Sequence, residues 1–159
     1  PIKISALRGV PDSPIGIIKN ISFANIFCSA ENSILMYASD ETVMENISFN
    51  NFNFELKKGA LEEVSGGNFD LRPNTVQGKE IYASNIPVVY IENAKNVFFN
   101  QGNISWGNVD KPYYTNAIEA IKVNTLYLDN MTASPSPSNP ELPAVSLKNC
   151  TNVKNNIRK

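Results

Sequence analysis

Histidine is absent from the 159 residues, which removes the usual general base at neutral pH and the commonest transition-metal ligand. Cysteine occurs only twice, at Cys28 and Cys150, too few for a disulfide scaffold. Neither sign of charge dominates: the net charge is -1 and the sequence pI is about 5.5. Lysine and arginine are scattered, with no more than two in a row, so no basic stripe offers nucleic acid or an anionic membrane a footprint. No apolar run approaches the roughly 18 residues of a membrane span. An amphipathic helical pattern of useful length is missing as well. So is a leader segment: the chain opens on Pro1 and runs straight into the strand-like Ile2-Lys3-Ile4, which reads as a fragment of a larger protein.

What the sequence does contain is asparagine in marked excess, followed by serine, isoleucine and valine. That mixture suits short strands separated by tight polar corners. One motif recurs: Asn, an aliphatic residue, any residue, a large apolar residue, any residue, then Asn or Gln. It runs as Asn20-Ile21-Ser22-Phe23-Ala24-Asn25, Asn46-Ile47-Ser48-Phe49-Asn50-Asn51 and Asn96-Val97-Phe98-Phe99-Asn100-Gln101. A variant, Thr125-Leu126-Tyr127-Leu128-Asp129-Asn130, and a partial copy, Asn152-Val153-Lys154-Asn155, complete the series. The copies start 26, 50, 29 and 27 residues apart, a period of about 26 with one enlarged turn. A second short strand precedes three copies at a constant offset, with Val89 and Ile91, Ile118 and Ala120, and Val145 and Leu147 in matching slots. The run Ile34-Leu35-Met36-Tyr37 lies further upstream of its copy and departs from that spacing.

Strands this short bury one face and cannot stand alone. A repeat of this length can coil once and stack on the next coil, placing equivalent residues about 4.8 Å apart. The fold expected is therefore all-β: a right-handed parallel β-helix, partial, of about four to five coils, forming a single unit over 1–159. Ile21, Ile47, Val97, Leu126 and Val153 form one inward ladder, and Phe23, Phe49, Phe99 and Leu128 another. Asn25, Asn51, Gln101 and Asn130 mark a polar corner, where stacked amides bond to one another or tolerate left-handed turns. Leucine-rich repeats share the period but want leucine at most core slots and a helical segment per turn. An ordinary β-sandwich is the other alternative. Cys28 and Cys150 fall about four coils, or about 19 Å, apart, so no disulfide is expected. The open strand edge of the first coil is a site for self-association.

Three insertions follow the repeated strand, near 57–87, 106–116 and 133–143. Within them Arg72, Trp106, Tyr113 and Tyr114 are the candidate substrate-binding residues, able to stack on sugar rings and to pair with uronate carboxylates. The competing reading is that these aromatics pack the loops onto the coil. The sequons at Asn20, Asn46, Asn103, Asn130 and Asn149 arise mostly from the repeat itself.

The run Arg8-Gly9-Val10-Pro11-Asp12-Ser13-Pro14-Ile15, followed by Lys19-Asn20-Ile21-Ser22-Phe23-Ala24-Asn25-Ile26, resembles the coils that follow the active site in family 28 glycoside hydrolases, the polygalacturonase-like pectin hydrolases. The stretches 86–106 and 117–149 are similar to C-terminal coils of bacterial members. The resemblance implies an exported (secreted or periplasmic) protein that hydrolyses galacturonan-like polysaccharide with inversion, using well-separated carboxyl groups. It also implies an upstream part of the same β-helix as neighbour. The family's Asn-Thr-Asp, Asp-Asp, Gly-His-Gly and Arg-Ile-Lys signatures are all missing here. Asp12, Asp40, Asp70, Asp110 and Asp129 are dispersed, and Glu62-Glu63 fall in a predicted loop. No catalytic residue, metal ligand or cofactor is therefore assigned, and the chain alone is expected to be inactive. The expected role is scaffold and groove wall; the alternative is a non-catalytic glycan- or partner-binding β-helix. A polysaccharide lyase of similar architecture would need clustered carboxylates for calcium and fits less well.

Overall fold

The computed structural model describes residues 1–60, 69–70, 80–82 and 85–158. Every element in it is a strand: β1 (Lys3–Ala6), β2 (Lys19–Ala30), β3 (Ile34–Ala38), β4 (Met44–Leu56), β5 (Phe69–Asp70), β6 (Glu80–Tyr82), β7 (Val89–Trp106), β8 (Ile118–Ala133), β9 (Val145–Lys148) and β10 (Thr151–Asn155). All except the antiparallel pair β5–β6 join one parallel sheet system, a β-solenoid of about 4 turns. Successive rungs are β1 with β2, β3 with β4, β7, β8, and β9 with β10.

The register carries the repeat. Ile21 pairs with Ile47, Ile47 with Val97, Val97 with Leu126 and Leu126 with Val153. Phe23, Phe49, Phe99 and Leu128 follow the same path two residues on. The Phe49 ring lies 4.7 Å from Phe23 at 10° and 4.7 Å from Phe99 at 6°, a stacked column along the axis. Both expected ladders are thus present, and Ile47, Phe49, Val97, Leu126 and Leu128 are fully buried. Ile21 and Phe23 are only half-buried, because no described strand lies beyond the first rung on that side.

The long strands are bent segments joined at single left-handed residues. Asn20, Asn46, Asn96, Thr125 and Asn152 form one column of positive φ, between 53 and 68°. Asn25, Asn51, Gln101 and Asn130 form a second, and Asn93, Lys122 and Asn149 a third. Asparagine tolerates this conformation because its short polar side chain bonds locally, which accounts for the compositional excess. The amides also stack: Asn46 Nδ2 donates to Asn20 Oδ1 and Asn96 Nδ2 to Asn46 Oδ1, both at 2.8 Å. In the second column Asn51 Nδ2 reaches Asn25 Oδ1 at 2.6 Å, whereas Asn130 bonds Asn100 rather than Gln101.

The run 34–37 belongs to the regular ladder despite its spacing. Ile34 pairs with Val89 and Met36 with Ile91. Residues 39–43 form an extra turn between β3 and β4, held from outside by Lys122 Nζ on Asp40 at 2.7 Å and by Arg8 on Glu41 at 2.9 Å. Cys28 and Cys150, on the first and last rungs, are both free thiols.

Candidate functional site

Inward slots are consumed by packing, so any site must be built from outward residues and from loops. Each rung presents three short outward faces, separated by the corners.

The first, over β1, β3, the start of β7 and of β8, and β9, is largely covered. Leu35, Tyr37 and Tyr90 point away from the main core yet form their own buried cluster, with Leu7 and Ile121 against it. Glu92 accepts a hydrogen bond from the Tyr90 hydroxyl at 2.5 Å, and Glu119 pairs with Lys148 at 2.9 Å. Burial and the Glu92 hydrogen bond push the Tyr90 phenol well above the usual tyrosine range, so it stays protonated and serves as a donor. Both carboxylates on this face have partners inside the fold, and the face acts as structure.

The second face carries Phe98 against Tyr127, edge to face at 5.3 Å, with Asn100, Asp129 and Lys154 around a shallow hollow of about 250 Å³. Asp129 accepts from Asn156 at 2.8 Å.

The third face, beyond the second corner column, is an open groove. Phe27, Asn53 and Asn103 occupy one register column across the first three rungs, and Thr132 continues it on the fourth. Two depressions of about 350 and 300 Å³ share Asn103 and Ser105 and so run together across these rungs, about 14 Å along the axis at the spacing of stacked strands. Phe27 is 66% exposed at one end. Trp106 closes the other, its indole Nε1 donating to the Ser134 carbonyl at 3.0 Å.

The floor between them is polar and ordered. Thr132 Oγ1 donates to Asn103 Oδ1 at 2.6 Å, and Asn103 Nδ2 donates to Asn53 Oδ1 at 2.7 Å. That relay leaves the Asn53 amide hydrogens facing the groove, since the next residue in the column is the apolar Phe27. Beside them Glu55 accepts from Ser29 Oγ, which leaves its other oxygen available as an acceptor. An aromatic platform, an amide donor and a carboxylate acceptor together match what a sugar ring offers: apolar C–H faces and a rim of hydroxyls.

The sequence candidates meet this groove unevenly. Trp106 lines it. Tyr113 packs against the core half-buried, 4.8 Å from Tyr114. Tyr114 is a correction: at 3% exposure its ring belongs to the core, 6.0 Å from Trp106, and offers no surface to a ligand. Arg72 lies outside the described residues. Phe27, Asn53 and Glu55 were not expected from the sequence. Asp40, Asp110 and Asp129 sit in separate places on the solenoid, and no group of three metal-ligating side chains occurs among the described residues. Among the described residues, no helix is long and apolar enough to cross a membrane.

No family model matches the chain, and no curated protein or solved structure matches it either.

Proposed function

We propose that this chain is a coil segment of a pectin-hydrolase-like β-helix that holds a polysaccharide chain in the Phe27–Trp106 groove and does not cleave it. The continuous groove on the third face carries the reading. It combines an exposed aromatic ring, an amide relay ending in a free donor and a carboxylate acceptor along one line. Binding and scaffold are assigned to these residues and cleavage to none of them, because the signature carboxylates of the resembling family have no counterpart in the sequence. An exported location follows from the same reading, since polymeric pectin lies outside the cell.

Calorimetric titration of the chain with soluble pectins tests this. Binding is expected without release of reducing ends. Phe27→Ala and Asn53→Ala should each weaken binding about 5-fold or more, the worth of one stacked ring or hydrogen bond. Tyr127→Ala, on the second face, should leave it unchanged. No binding at all, or a loss confined to Tyr127→Ala, would place function elsewhere.

A further inference from the structure

Resting on that groove reading, we infer that the polysaccharide it takes is uncharged: a neutral or fully methyl-esterified chain, not a free polyuronate. The groove floor carries one ionisable side chain of fixed sign, Glu55, flanked by Ser29, Asn53, Asn103 and Ser105. The continuation toward Trp106 is lined by Thr132, Ser134 and Pro137 and adds no charge. No lysine or arginine lines either part among the described residues.

Outside the lining residues, the Lys57 Cβ packs over Gly107 and the Glu31 carboxyl over Gly59. Lys58 pairs with Asp110 at 3.1 Å, and that contact holds the Asp110 carboxyl below the usual carboxylate range. A polyuronate laid along the floor would bring a negative charge beside Glu55 for every sugar that reaches it, with no guanidinium or ammonium among the described residues that line the floor. Recognition of carboxylates normally uses just such a basic partner. Hydroxyls and methyl esters meet no such repulsion: the ester methyl suits Phe27 or Trp106, and its carbonyl accepts from Asn53.

The test compares two polymers with one backbone: polygalacturonate and its fully methyl-esterified form, titrated into the chain at low and at high salt. The esterified polymer should bind about 5-fold tighter at low salt, with the gap shrinking as salt screens it. Glu55→Gln should raise affinity for the acid form and narrow the gap, without altering the circular dichroism of the fold. Equal or tighter binding of the acid form, or a gap untouched by Glu55→Gln, overturns the inference while leaving the groove as the binding site. Failure of both polymers and of neutral galactan to bind defeats the groove reading itself.

Discussion

Replacing Phe49 by alanine removes the central ring of the aromatic column. Phe49 is fully buried, stacks at 4.7 Å on Phe23 and Phe99, and meets Phe52 and Phe54 edge-on at 6.5 and 5.8 Å. Truncating a buried phenylalanine costs about 3–5 kcal/mol, and a column bonded rung to rung has little freedom to collapse into the gap. Two lost stacks at about 0.5–1.5 kcal/mol each place this variant toward the upper end. Phe23→Ala is the internal control. Its ring sits in the same column but is half-buried on the first rung and stacks on one neighbour, so about half the cost is expected. Urea unfolding followed by circular dichroism, with the fluorescence of Trp106 as a reporter on the third rung, gives both values. A Phe49→Ala cost below about 1.5 kcal/mol, or one equal to that of Phe23→Ala, would refute the stacked column as the source of stability.

Gly102→Ala should destabilise by about 1–3 kcal/mol in the same assay, because a Cβ there would lie 2.2 Å from the Phe52 ring that fills its space. Thr125→Asn should stabilise by about 1 kcal/mol: Thr125 holds φ at 68°, a region that penalises branching at Cβ, and an asparagine would extend the amide column from Asn96. Thermal unfolding checks that sign, and a lowered midpoint counts against the ladder. Stability should fall as pH rises above about 10, because the folded Tyr90 and Tyr37 phenols titrate above their unfolded value and the native state then holds more protons. Tyr90→Phe should flatten that fall; an unchanged alkaline slope would assign it to other groups.

The ladders were legible because a parallel solenoid requires the same kind of residue at the same slot in every rung, so the sequence repeats wherever the core does. Residues 39–43 hid the membership of Ile34 and Met36, since extra residues at a corner change the spacing without touching the register on either side. Phe27 was hidden for a different reason. Reading alternation straight through Phe23, Asn25 and Phe27 puts Phe27 inside, but the left-handed Asn25 resets the phase, so Ile26 and Cys28 point in and Phe27 out. The third corner column was hidden at Lys122, a residue type that gives no turn signal, at φ 52°. Tyr114 and Trp106 looked alike in sequence, and only the packing of the loop onto the coil separates a core ring from a groove wall.

The same phase shift explains why the groove lies on the third face. On each rung the segment after the second corner alternates one residue out of step with the segment before it. Its inward slots are Ile26, Phe52, Gly102 and Met131, whose volumes compensate across rungs, the Phe52 ring filling the space that Gly102 leaves. That compensation leaves the outward column Phe27, Asn53, Asn103 and Thr132 with no packing duty. Along it the hydrogen-bond relay runs one way, from Thr132 through Asn103 to Asn53, and stops where Phe27 offers no acceptor. A polar ladder that ends at an exposed aromatic ring has one unfilled valence, the Asn53 amide. A ligand that supplies an oxygen there and an apolar face to Phe27 completes the column, as a further asparagine would have done in a purely structural coil.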